Sequence, residues 1–255
     1  LTHLLKNVAH QRGITLQALK EEIDEKEILD RFKNYPKLSV TILSDDIDID
    51  SLRIIVNDLL VLARWDISKF QVFLKNPVFA KNAIQSLIKN FPQDDASAVK
   101  RINAFIENLI TSDLSKGKNG LKESHAALFC SIFLTVAFPD RFVDFRQTRW
   151  TNFAKLIGHE LPDNGDSYGQ MLIWAGKFAK EIAETPIFKK YWDIEYPLWA
   201  VAGLCWNLKD EEIDDSNVNN GDDPMPNEYQ KMKELLQNKK QVIIYGPPGT
   251  GKTYH

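Results

Sequence analysis

The strongest chemical signal in the 255-residue sequence is a glycine-rich segment close to its last residue. Eight consecutive residues match the pattern G-x-x-x-x-G-K-[ST] at every position. They are Gly246, Pro247, Pro248, Gly249, Thr250, Gly251, Lys252 and Thr253. In this pattern the backbone N–H groups of the turn bind phosphate oxygens, the lysine binds the β- and γ-phosphates, and the threonine hydroxyl binds Mg²⁺. The segment therefore predicts a site for a nucleoside triphosphate with Mg²⁺, in which Thr253 is the metal ligand.

The residues before this loop support the same prediction. Residues 241–245 form a short β-branched run that is typical of a buried parallel strand, and such a strand feeds directly into phosphate-binding loops. A glycine-rich turn that matches by chance is the alternative, and the preceding strand disfavours it. The sequence stops two residues after Thr253, before any acidic metal ligand or arginine finger. We therefore expect this chain to be inactive as an NTPase, and a full-length protein that contains it to hydrolyse nucleotide.

Residues 239–254 resemble the opening of the AAA+ module of McrB-type proteins. The double proline in the loop is typical of AAA+ proteins, whereas the Ile-Ile-Tyr strand end and the Lys-Thr-Tyr sequence are similar to McrB in particular. The resemblance implies the motor subunit of a modification-dependent restriction system, with an N-terminal domain that recognises DNA, often at a modified cytosine. It also implies a homo-oligomeric AAA+ ring that binds GTP, and a nuclease partner subunit. Whether this chain binds GTP or ATP stays open, because the determinants would lie beyond His255.

A second segment combines basic and aromatic side chains in a way that could bind nucleic acid. Its four cations are Arg141, Arg146, Arg149 and Lys155. Such cations neutralise phosphates while an aromatic ring stacks on a base, and a pocket of this kind could hold an extruded modified base. The alternative is that the aromatic residues (Phe142, Phe145 and Trp150) are core side chains and that the arginines pair with Asp140 and Asp144. The helical segment 123–208 is also loosely similar to helical regions that precede McrB-type motors, and residues 138–142 carry this similarity.

Other candidate clusters carry a weaker signal. A second basic–aromatic group could extend a DNA surface or form a solvated helix face over core aromatics; it comprises Lys177, Lys180, Lys189, Lys190, Phe178, Phe188, Tyr191 and Trp192. Trp199 and Trp206 are seven residues apart on one predicted helix, a spacing typical of core packing. The five histidines and two cysteines show no metal-ligand spacing, and we expect His125 to be a buried or half-buried structural residue. Cys130 and Cys205 are expected to be buried thiols.

These candidate sites require three segments of different character. Residues 1–209 read as an all-helical globular domain, so the predicted class is mainly α, with an acidic linker at 210–228 and a truncated α/β P-loop start at 229–255. The linker contains eight acidic residues and no basic one, which prevents it from burying a core. The whole chain has 32 basic and 35 acidic residues, of which 27 basic and 26 acidic lie in residues 1–209. Because that domain is nearly neutral, DNA would have to bind a local patch.

Apolar periodicity and capping signals predict individual helices within residues 1–209. The predicted ranges are 77–90, 97–114, 123–138, 148–157, 167–184 and 197–208, a further helix capped by Ser51, and an amphipathic one over 21–32. The helix at 123–138 is apolar nearly all round, which predicts a central position. The run 38–43 contains Val40, Thr41 and Ile42 and could instead be a strand.

Composition excludes several classes of protein. Hydrophobic residues make up 44% and charged residues 26%, values that exclude wholesale disorder and a coiled-coil rod. The longest apolar run is 13 residues, too short to span a membrane, and no secretory leader is recognisable, so a cytoplasmic protein is expected. Two further functions compete with DNA recognition: a helical adaptor on an AAA+ ATPase that remodels protein complexes, and a helical protein-interaction module that contacts no nucleic acid.

Overall fold

The structure is a computed structural model that describes residues 6, 9–10, 13–22, 32–116, 120–163, 165–192 and 195–207. Backbone contacts divide the chain into Leu1–Lys209 and Asp210–His255, and all described residues belong to the first unit. The predicted acidic linker and the phosphate-binding loop lie outside the described residues, as does most of the helix predicted over 21–32.

Every regular element in the described part of the chain is helical, which confirms the mainly α class. A 3₁₀ turn at Asp113–Ser115 follows the helix Asp95–Thr111. The α-helices are α1 (Leu16–Glu22), α2 (Tyr35–Leu43), α3 (Ile49–Asn57), α4 (Arg64–Phe73), α5 (Pro77–Ile88), α6 (Asp95–Thr111), α7 (Glu123–Ala137), α8 (Gln147–Ile157), α9 (Tyr168–Ala183), α10 (Pro186–Tyr191) and α11 (Pro197–Asn207).

The apolar helix α7 lies at the centre of the domain, as its composition predicted. Its residues from His125 to Val136 are all buried, and α2, α4, α5 and α6 pack against it. Phe129 contacts the aromatic side chains of α4, with ring centroids 4.2 Å from Phe70 and 6.2 Å from Phe73. None of the described helices is long and apolar enough to cross a membrane. Outside this central group of helices, α9 packs against both α6 and α11.

The expectation that 38–43 could be a strand was wrong, because these residues belong to α2. Val40, Thr41 and Ile42 are β-branched and favour a strand locally. As a helix, however, the segment buries Tyr35, Leu38 and Ile42 and leaves Val40 exposed. Burial at helical spacing against α7 therefore outweighs the local preference.

The predicted N-cap of α3 was also wrong by three residues. The cap is Asp48, whose Oδ1 accepts the backbone N–H groups of Asp50 (3.0 Å) and Ser51 (3.2 Å). The Ser51 hydroxyl donates to Asp48 Oδ2 at 2.6 Å. The hydrogen bonds from Ser51 lower the pKa of Asp48, so the cap is charged at neutral pH. A carboxylate interacts more favourably than a hydroxyl with the positive end of the helix dipole, which explains the choice of Asp48.

The close approach between α9 and the α7–α8 connection depends on one glycine. A Cβ atom placed on Gly176 would lie 2.1 Å from the carbonyl oxygen of Arg141, well inside van der Waals contact with backbone. We expect Gly176→Ala to lower the free energy of unfolding by about 1–3 kcal/mol. The loss occurs although alanine favours a helix over glycine by about 1 kcal/mol. Urea denaturation measures it, with the exposed Lys180→Ala on α9 as the control; a stabilised Gly176→Ala would show that the contact is loose.

Candidate nucleic-acid interface

The predicted basic–aromatic segment begins in the non-helical connection between α7 and α8 and continues into α8. The Phe145 N–H donates to Ser131 Oγ of α7 at 2.9 Å, and Trp150 Nε1 donates to the Asp144 carbonyl oxygen at 2.8 Å. Phe142, Phe145 and Trp150 are all buried. The three rings are therefore core side chains, as the alternative interpretation held, and none of them is exposed for stacking on a base.

Arg141 joins this connection to the start of α6. Its guanidinium donates to the Pro92 carbonyl at 2.6 Å and to Asp95 Oδ1 at 3.3 Å. Lys177 of α9 binds the other Asp95 oxygen at 2.5 Å. The hydrogen bond from Lys177, with a smaller contribution from Arg141, lowers the pKa of Asp95. Arg141 thus pairs with Asp95, and the expected pairing with Asp140 or Asp144 was wrong for this residue.

Arg146 connects α4 to the start of α8. Its Nη2 binds Asp66 Oδ2 at 2.5 Å. The Asp66 side chain is 5% exposed and also accepts the Ala63 N–H at 3.1 Å. The aspartate partner of Arg146 again differs from the expected Asp140 and Asp144, because the fold places α4 beside the α7–α8 connection. An ion pair with one buried member fixes the direction of the Arg146 side chain.

Arg146 and Arg149 meet on the indole of Trp206, at the end of α11. The guanidinium carbon of Arg149 lies 3.6 Å from the ring centroid and that of Arg146 lies 5.6 Å away. Trp206 Nε1 donates to Asp144 Oδ2 at 2.9 Å, and Asp144 is fully buried. We call these four residues the arginine–tryptophan cluster. It holds two of the predicted DNA-binding cations against one aromatic ring, which contributes cation–π stabilisation.

The four predicted cations therefore do not form one continuous row. Arg146 and Arg149 are brought together on Trp206, whereas Arg141 belongs to the contact with Asp95. Lys155 is exposed in the last turn of α8, whose C-cap is Gly158 in the left-handed conformation (φ 70°). Lys155 follows Arg149 by six residues on α8, so at about 100° per residue the two side chains point to different faces of the helix.

Helix α4, whose residues lie beside this cluster, was not predicted from the sequence. The buried face of α4 includes Asp66 and Lys69 as well as Phe70 and Phe73. Charged residues at buried positions break the apolar pattern by which helices are recognised, so the segment gave no periodic signal. Trp206 was expected to be a core residue, but it is half-buried and contacts the two arginines.

The described side chains of the second basic–aromatic group fit the interpretation of a solvated helix face over core aromatic residues. Phe178, Phe188 and Trp192 are buried. Its four lysines (Lys177, Lys180, Lys189 and Lys190) are exposed. These three aromatic residues therefore belong to the core, and the group offers charge without an accessible ring among the described side chains.

The cysteines and His125 have structural environments. Cys130 and Cys205 are both buried, and burial raises the pKa of the Cys130 thiol well above its usual value. His125 is buried, and its Nδ1 accepts the Lys122 N–H at 3.0 Å, as expected for a structural residue. Within the described residues, no group of three or more His, Cys, Asp or Glu side chains could hold a metal ion.

Comparison with known proteins found no matching family, no similar curated protein and no similar solved structure.

Proposed function

We propose that this chain is the target-recognition part of a McrB-like AAA+ NTPase in a modification-dependent DNA restriction or defence system. In this proposal residues 246–253 bind GTP or ATP with Mg²⁺, through Lys252 and Thr253. The protein forms a homo-oligomeric ring in the cytoplasm and acts with a nuclease subunit. The observation that carries the proposal is the eight-position match to the phosphate-binding loop directly after a predicted strand, with the double proline of AAA+ proteins.

The helical domain would contact DNA along α8 and the arginine–tryptophan cluster. Residues 1–209 are nearly neutral, so an attractive surface for DNA must be a local concentration of cations. Arg149 and the exposed Lys155 share α8, and Arg146 lies at its start. Half or more of protein–DNA hydrogen bonds go to the backbone, so such cations would position the domain and leave base recognition to other groups. Because Arg141 is bound to Asp95, it contributes less to this surface.

Replacement of Lys155 by alanine tests this surface with little risk to the fold. Each lost phosphate contact reduces the slope of log K against log salt by about one unit. We expect Lys155→Ala to weaken binding to a fluorescein-labelled 20-base-pair duplex and to reduce the slope by about one unit. Fluorescence anisotropy of the 255-residue chain, between about 20 and 200 mM salt, measures both, on duplexes with and without 5-methylcytosine.

The matched control is Lys37→Ala, which removes an exposed lysine from α2. Its affinity and salt slope should equal those of the parent, with unchanged circular dichroism for both variants. Equal slopes for Lys155→Ala and the parent would remove α8 from the interface. A parent that binds neither duplex at the lowest salt concentration would contradict DNA recognition by this domain.

A protein-interaction adaptor is the second candidate function, favoured by an open groove between α2 and α3. The groove has a volume of about 600 Å³ and is lined in part by Val40, Thr41, Ile54 and Ile55. Val40 is 76% exposed and Ile54 is 67% exposed. Exposed apolar side chains that line one groove are typical of protein-binding surfaces. A chain that binds no DNA would favour this function, in which the AAA+ module remodels protein complexes.

A further inference from the structure

Trp65, in the first turn of α4, is the most exposed of the described tryptophans. It is 55% exposed, whereas Trp150, Trp192 and Trp199 are buried. The remaining two described tryptophans, Trp174 and Trp206, are half-buried. A tryptophan gains more than almost any other side chain from burial, so an indole held at the surface is a candidate for contact with a ligand.

The Lys69 side chain contacts the Trp65 ring from the interior of the domain. The Lys69 ammonium lies 5.3 Å from the centroid of the Trp65 ring and 3.4 Å from the Gly120 carbonyl oxygen. Lys69 is buried, so the exposed part of the indole faces away from it. The cation–π contact and the hydrogen bond limit the movement of the ring. One side of Trp65 is therefore a preformed aromatic surface open to solvent.

The surroundings of Trp65 are rich in cations. Arg64 and Lys122 are exposed, the first adjacent to Trp65 in the chain and the second two residues after Gly120. Asp66, the next residue of α4, binds Arg146 of the arginine–tryptophan cluster.

We propose that Trp65 is a base-stacking residue for single-stranded nucleic acid. This inference rests on the proposed nucleic-acid function and names the form of the ligand. An exposed indole binds the π-face of any base, and neighbouring cations bind the phosphates on either side of it. In a duplex both faces of an internal base are covered by its neighbours, so Trp65 can stack only on an unpaired base. An acidic patch on another protein would bind the cations but would gain little from contact with the exposed face of the Trp65 ring.

Stacking and phosphate contact respond differently to salt, which makes the role of Trp65 measurable. Loss of a base stack lowers affinity at all salt concentrations and leaves the salt slope unchanged, whereas loss of a cation lowers the slope. We expect Trp65→Ala to weaken binding of the 255-residue chain to fluorescein-labelled dT₁₂ by about 5- to 100-fold, with an unchanged slope. Trp65→Phe, which keeps an aromatic face, should retain most of the affinity.

The experiment titrates parent, Trp65→Ala, Trp65→Phe and the control Val78→Ala against dT₁₂ and a 12-base-pair duplex. Val78→Ala removes another exposed apolar side chain, on α5, and should match the parent. If Trp65→Ala binds dT₁₂ as tightly as the parent, the inference about Trp65 is wrong. The proposed DNA-binding function still stands in that case if the parent binds the duplex. Failure of the parent to bind either DNA overturns both. Self-association of the parent in sedimentation, lost in Trp65→Ala without an effect on dT₁₂, would assign Trp65 to a protein contact instead.

Discussion

Replacement of Asp66 by alanine is expected to lower the free energy of unfolding by about 3 kcal/mol. Asp66 is buried at the start of α4, where one carboxylate oxygen accepts both the Ala63 N–H and the Arg146 guanidinium. Its removal leaves the Arg146 charge, which is partly shielded from water, without its carboxylate, and leaves the backbone N–H of Ala63 without its acceptor. Removing one partner of a buried ion pair lowers the free energy of unfolding strongly, because the other charge stays buried without a partner. Replacing both partners by apolar side chains has a much smaller effect. Urea denaturation followed by circular dichroism measures the change.

Two further variants separate charge pairing from the loss of a side chain. Asp66→Asn retains an oxygen that can accept from Ala63 and Arg146, so its loss should be clearly smaller than that of Asp66→Ala. Asp46→Ala breaks the ion pair with Lys81, in which the aspartate is 89% exposed, and should cost less than about 1 kcal/mol. If Asp66→Ala and Asp46→Ala were equally stable, the Asp66–Arg146 pair would contribute nothing to the junction between α4 and α8.

Truncation of Phe129 is expected to have the largest effect on stability, a loss of about 3–5 kcal/mol for Phe129→Ala. Phe129 is fully buried at the centre of α7, and its ring contacts those of Phe70 and Phe73. Alanine would leave a cavity between α4 and α7 that well-packed neighbours can fill only in part. The measurement is the midpoint and slope of urea unfolding.

An exposed leucine provides the control for Phe129. Leu156, on α8, is 54% exposed, so Leu156→Ala should change the free energy of unfolding by about 0.5 kcal/mol or less. Phe129→Leu should lose less than Phe129→Ala, because more of the volume is filled. A cost below about 1.5 kcal/mol for Phe129→Ala would show that α7 is not the packing centre of the domain.

The arginine–tryptophan cluster also changes how the DNA-binding hypothesis should be tested. Arg146 and Arg149 are held against Trp206, and Arg146 is further bound to the buried Asp66. Removing both arginines would alter packing between α4, α8 and α11 together with any contact to phosphate. The exposed Lys155 and Trp65 are cleaner positions, because their replacement removes surface contacts and leaves the core intact.

Several features could be predicted from the sequence because they depend on residues close together in the chain. The central position of α7 could be predicted because its residues are apolar on nearly all sides of the helix. The start of α5 follows from Pro77, which favours a first turn, and α9 lies within one residue of the helix predicted over 167–184. The strand expected at 38–43 failed where a local β preference conflicted with burial of Leu38 and Ile42.

The sequence by itself determined the helical class, the central apolar helix and the phosphate-binding motif, because each depends on residues that are close together in the chain. Only the tertiary structure decided which aspartate each arginine meets: Asp95 for Arg141 and Asp66 for Arg146, 46 and 80 residues away in the chain. Only the fold, too, placed Trp206 beside these arginines and left Trp65 at the surface. Charge pairs and aromatic contacts carry no periodic signature, so their partners are set by how the helices pack and not by their spacing in the sequence.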